Sequence, residues 1–137
     1  MELDTVTPTA KAPAERFTGD VYVDVLHTPK EPSRLLASLV RFTPGAHTNW
    51  HSHAMGQLLR CTDGEGLVVN RNGTVIRMRP GDTVWTPPGE EHWHGATEGN
   101  LMCHYALLEG TGDGDGTTWL EPVTDEQYQQ AAGEATP

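Results

Sequence analysis

Positive charge is scarce in this chain. Nine Lys and Arg stand against 19 Asp and Glu, a formal charge of −10 over 137 residues. Nucleic acids and anionic membranes are polyanions, so neither is an expected partner. Long apolar runs are missing too. None approaches the roughly 20 residues that a membrane-spanning helix needs, and no N-terminal signal with a basic start and an apolar core is visible. Cysteine is confined to Cys61 and Cys103. Both fall on separate expected strands among core-like residues, which favours free thiols in a cytoplasmic protein over a disulfide.

What is plentiful is turn chemistry. Fifteen Gly and 10 Pro suit many short strands better than long helices. The length fits one domain with its own core. Residues 1–16 lack periodicity and read as a flexible N-terminal arm, able to cover a sheet edge of a neighbouring subunit. Residues 17–137 form the expected barrel domain. Strands are expected at Val21–Leu26, Arg34–Phe42, His47–His53, Gln57–Thr62, Gly66–Asn70, Thr74–Arg79, Thr83–Thr86, His92–Ala96 and Leu101–Leu108. Asn72-Gly73 is the strongest hairpin signal between them. Gly110–Gly116 reads as an acidic, glycine-rich loop. After Trp119 one helix is expected, capped by Thr124 with Gln127 in the capping-box position. The pattern is all-β: a small antiparallel barrel or jelly roll with a short C-terminal helix.

The chemistry sits in the histidines. His51 and His53 are two apart, so on a strand they share a face, and period-two counting adds His47 and Asn49 to it. Gln57 offers an amide oxygen four residues on, and His92 comes from a separate hairpin. Buried imidazoles and amides need partners, and a metal ion is one. Three imidazoles and an oxygen suit a first-row transition ion with positions left for substrate.

The spacing of Gly45, His51, His53, Gln57 and Gly64 resembles the first motif of the cupin superfamily, and that of Gly81, Pro87, Gly89 and His92 the second. Gln57 departs from the more common Glu, and Ala96 from the more common Asn. A narrower resemblance runs through residues 50–57, 87–96 and 119–128. These are similar to small bacterial cupins of the carboxymuconolactone-decarboxylase-associated group, some of which are manganese-dependent hydroxynitrile lyases. The resemblance implies a cupin barrel with His51, His53, Gln57 and His92 as ligands of one divalent ion. Mn²⁺ or Fe²⁺ is expected, with Zn²⁺, Co²⁺ and Ni²⁺ as alternatives. Independently of any family, neutral ligands leave the dipositive charge on the ion, which tilts the chemistry toward Lewis-acid lyase, isomerase or cyclisation reactions rather than oxygen activation.

His104 and His94 are the candidate catalytic groups for proton transfer. His104 is flanked by Met102 and Ala106 on one strand face, where desolvation favours the neutral base. His94 shares the face of His92. His47, Ser38, Val40 and Trp85 are the candidate substrate-binding residues of an apolar pocket. Trp50, Trp93, Cys103 and Tyr105 alternate with inward residues and should point away from it. The expected function is a metal-dependent enzyme on a small carbonyl-type molecule, hydroxynitrile lyase-like. The competing readings are a non-haem iron dioxygenase, a tailoring cyclase or dehydratase, and a non-catalytic ligand-binding cupin. A homodimer or homotetramer is expected.

Overall fold

Strand patterning yields 13 strands and one helix in the computed structural model, which describes residues 1–134. The strands are β1 (Ala10–Lys11), β2 (Phe17–Thr18), β3 (Val21–His27), β4 (Leu35–Phe42), β5 (His47–Thr48), β6 (His51–His53), β7 (Gln57–Gly64), β8 (Gly66–Asn70), β9 (Val75–Met78), β10 (Thr83–Thr86), β11 (His92–Ala96), β12 (Met102–Glu109) and β13 (Thr117–Trp119). The helix α1 (Asp125–Glu134) closes the described chain. The last three residues of the expected barrel domain lie outside the described residues.

The strands form two curled antiparallel sheets. One runs β1-β3-β4-β12-β7-β10; the other runs β13-β6-β11-β5-β2, with β8 and β9 continuing beyond β11. Short strands with a bulge at Cys103/His104 let the sheets bend toward one another. Between them lie Val21, Val40, Phe42, Leu59, Met78, Val84 and Met102, all buried. A second cluster, Trp50, Leu67, Val69, Trp93, Val123, Tyr128 and Ala131, packs the outer side of the second sheet against α1. Trp50 and Trp93 therefore face away from the barrel interior, as alternation requires.

Helix α1 starts where its cap chemistry dictates. The Thr124 hydroxyl accepts the Gln127 backbone N–H at 3.1 Å, and the Gln127 side-chain oxygen accepts the Thr124 N–H at 2.9 Å. The Tyr128 hydroxyl anchors the helix by donating to the Ala96 carbonyl at 2.7 Å. The β8–β9 hairpin turns at Gly73, whose φ of 85° is open to glycine without strain.

Two local readings of the sequence change. Residues 1–16 are not wholly irregular: β1 pairs with β3 of its own chain, at the edge of the first sheet. The expected strand 47–53 is broken. The backbone N–H of Asn49 bonds to Arg16 and that of Trp50 to Glu121, so two residues leave the ladder and the alternation resets.

Candidate metal centre

β6 and β11 lie side by side with His92 opposite His51. This register brings His51, His53 and His92 together. One nitrogen from each lies within 4.8 Å of the others, and all three side chains are buried. The far nitrogen of each ring is tied down. Nδ1 of His51 donates to the Asn49 carbonyl at 2.9 Å, and Nδ1 of His92 to the Glu90 carbonyl at 2.9 Å. Nδ1 of His53 lies 2.9 Å from the Thr117 hydroxyl. Such bonds fix imidazole orientation in metal sites. Nε2 of His53 and His92 and the side-chain oxygen of Gln57 are buried without a hydrogen-bond partner. Buried orphan lone pairs are costly, and a cation satisfies them together.

Electrostatics agree. Burial holds His51 well below the usual imidazole range, with the His92 and His53 charges adding to the effect. His53 is pulled down to about 4, by burial first and then by His92. Burial lowers His92 as well. Neutral rings are the form that ligates metal. The residues present therefore fit a divalent transition ion, with Gln57 able to supply a fourth, oxygen donor.

Beside the cluster sits a second histidine pair. His104 Nε2 is 3.0 Å from His94 Nδ1. The His94 ring lies 5.2 Å from His51, and Phe42 packs on both rings of the pair, at 5.7 and 5.3 Å. Burial lowers His104 to about 4 and holds His94 well below its usual range. The pair is neutral near pH 7.

A cavity of about 190 Å³ opens onto both groups, walled by Phe17, Val23, Leu36, Val40, Ala106, Leu108 and Trp119. Ser38, Val40, His94 and His104 line it. His47 and Trp85 do not. Because the strand breaks after Thr48, Thr48 faces the cavity in place of His47. His47 turns under α1, stacked on Tyr128 at 4.7 Å with Nδ1 donating to the Gly45 carbonyl at 2.9 Å. On β10 the inward residues are Val84 and Thr86, so Trp85 points outward and is 55% exposed. Cys103 and Tyr105 face away from the cavity, and Cys61 and Cys103 are free thiols. Sequence reasoning missed β13. Its Thr117 and Trp119 line the cavity, and Trp119 packs on His51 in a tilted pair with ring centroids 4.7 Å apart. Three residues following a glycine-rich loop are too few for a period to show, so the sequence carried no clear signal for this strand.

Residues 38–108 match the family described as the Cupin domain. The chain belongs to the cupin family. This cupin is 45% identical over 120 residues to the (R)-mandelonitrile lyase of Granulicella tundricola, covering 88% of this chain and 91% of that one. It superposes on a cupin-like protein of Thermotoga maritima with a TM-score of 0.86 and 34% identity, over 96% of this chain and 99% of the other. A polyketide cyclase of Streptomyces resistomycificus shares the fold at a TM-score of 0.70 and 17% identity, over 94% and 91% of the two chains. No helix among the described residues is long and apolar enough to cross a membrane.

Proposed function

We propose that this cupin is a metal-dependent lyase that cleaves a small α-hydroxynitrile to a carbonyl compound and hydrogen cyanide. The observation that carries the reading is the paired His94 and His104 beside the three-histidine cluster, both opening on one mostly apolar cavity. The identity to a mandelonitrile lyase supports it.

His51, His53, His92 and Gln57 would hold the ion. The chemistry that Mn²⁺ or Fe²⁺ supplies when bound is Lewis acidity toward negative charge on oxygen or cyanide. The chain's own residues do the rest. Phe17, Val40 and Trp119 exclude water and seat the substrate's apolar part. The neutral His94–His104 pair takes the hydroxyl proton, with His104 as base. The electron pair left on oxygen forms the second C–O bond as the C–CN bond breaks and its pair leaves with cyanide, to which the histidines return the proton. One hydrogen bond spans the two rings, so the positive charge gained in this step is shared in a buried site.

The test is cleavage of mandelonitrile by protein loaded with Mn²⁺ or Fe²⁺. Benzaldehyde should appear faster than in a protein-free blank only when metal is present. Oxygen uptake with Fe²⁺ and a β-diketone, without mandelonitrile cleavage, would assign the same site to dioxygenase chemistry instead.

A further inference from the structure

Thr117 stands opposite His53 in the β13–β6 register and lines the cavity. Its hydroxyl joins the histidine cluster to the cavity wall. The rings of His51 and His92 have no choice of tautomer. Their Nδ1 atoms face the carbonyl oxygens of Asn49 and Glu90 at 2.9 Å, which only accept; the Thr48 hydroxyl stands farther from His51 Nδ1, at 3.4 Å, so each Nε2 holds a lone pair. His53 is different. Its Nδ1 faces a hydroxyl, 2.9 Å away, that can donate or accept.

The two states have different consequences. With hydrogen on His53 Nε2, Nδ1 is an acceptor and the Thr117 hydroxyl is spent on it. With a cation in the cluster, Nε2 presents its lone pair, Nδ1 carries the hydrogen and donates to Thr117, and the hydroxyl hydrogen of Thr117 is released. Among the described residues no other acceptor is bonded to that hydroxyl. The nearby Asp115 carboxylate accepts the Thr117 backbone N–H instead, at 2.9 Å. What remains open to the released hydrogen is the cavity, whose walls are mainly apolar.

We propose that Thr117 is a substrate-binding residue whose hydroxyl donates to the oxygen of a carbonyl-type ligand, and that metal in the histidine cluster turns this donor toward the cavity. The proposal rests on the carbonyl-ligand part of the function proposed above. It adds a residue that a cupin motif does not contain, on a strand outside the matched domain segment.

Calorimetric titration with benzaldehyde tests it on the whole protein, with and without Mn²⁺. Thr117→Val keeps the shape and removes the hydroxyl, and Thr117→Ser restores it. In the metal-loaded protein T117V should bind benzaldehyde about 3- to 10-fold more weakly than wild type, the span of one net hydrogen bond, and T117S should match wild type. Without metal, wild type and T117V should bind alike. Should T117V not fold, T117A takes its place. Fully loaded T117V that binds benzaldehyde like wild type, with only its metal affinity weakened, would reduce Thr117 to an orienting partner of His53 and overturn the proposal. So would a T117V effect equally large without metal, or benzaldehyde that does not bind wild type. Protein that binds benzaldehyde through Thr117 yet leaves mandelonitrile uncleaved keeps this inference and loses the lyase reading.

Discussion

At the residue scale the cluster is defined by its unpaired atoms. Replacing His51 or His53 with Ala removes one nitrogen donor from the group. The expected result is loss of most bound metal and nearly all turnover, with circular dichroism unchanged, because the core between the sheets is built from other residues. Unfolding of His53→Ala would instead make the site structural. The His94–His104 bond supports a second prediction. His104→Ala should keep its metal and lose roughly 10²- to 10⁴-fold in turnover, the range for a positioned acid or base. In the proposed step both rings serve one proton, so His94→Ala/His104→Ala should be little worse than His104→Ala alone. Wild-type turnover in His104→Ala would end its role as base.

At the scale of elements, the sequence was most readable where turn residues bracket a short strand-forming run. β8, β10 and β11 lie where pattern and turns put them, and the capping box at Thr124 marked the helix. The clustering of His51, His53 and His92 was legible because spacing within β6 and β11 is local. The errors came where a backbone partner distant in sequence overrides parity. Glu121 and Arg16 pull residues 49–50 out of the ladder, and His47 leaves the cavity as a result. Trp85 misled by its size: a large aromatic suggested a pocket wall, while its neighbours Val84 and Thr86 took the inner face. β1, β2 and β13 are two or three residues long, too short for any period to show. The helix cap gives an element-scale prediction. Thr124→Ala removes the hydroxyl that accepts the Gln127 N–H and should cost about 1 kcal/mol, a drop of a few degrees in melting temperature with activity unchanged.

At the scale of the whole molecule, buried histidines make stability depend on pH. His104 sits at about 4 when folded, against an ordinary value of 6.5. The unfolded chain therefore binds more protons between these values. In metal-free protein the stabilisation is full above pH 6.5 and is lost as pH falls toward 4, by about 3 kcal/mol for this one ring. Urea titrations across that window should show the decline, and His104→Ala should make it shallower, the other buried histidines still contributing. The outer face of the first sheet carries a second whole-molecule expectation. Ala37, Leu107, Leu58 and Trp85 are cross-strand neighbours that form an apolar row away from the cavity. We propose that this row seats a second copy of the chain. Light scattering should give a dimer or a larger even assembly, and Trp85→Glu should shift it toward monomer; a wild-type monomer at high concentration would refute this.

The orphaned lone pairs of His53, His92 and Gln57 have a practical corollary. An ion that binds only the native chain raises its melting point in proportion to the logarithm of concentration over dissociation constant. Melting curves recorded with Mn²⁺, Fe²⁺, Co²⁺, Ni²⁺ and Zn²⁺ in turn thus become a ranking of the site's affinities, readable before any substrate is in hand. At 100 times the dissociation constant the gain is about 2.7 kcal/mol, ample for a thermal scan to resolve. The same scans on Gln57→Glu would show how far a single amide, in place of a carboxylate, sets which metal the protein prefers.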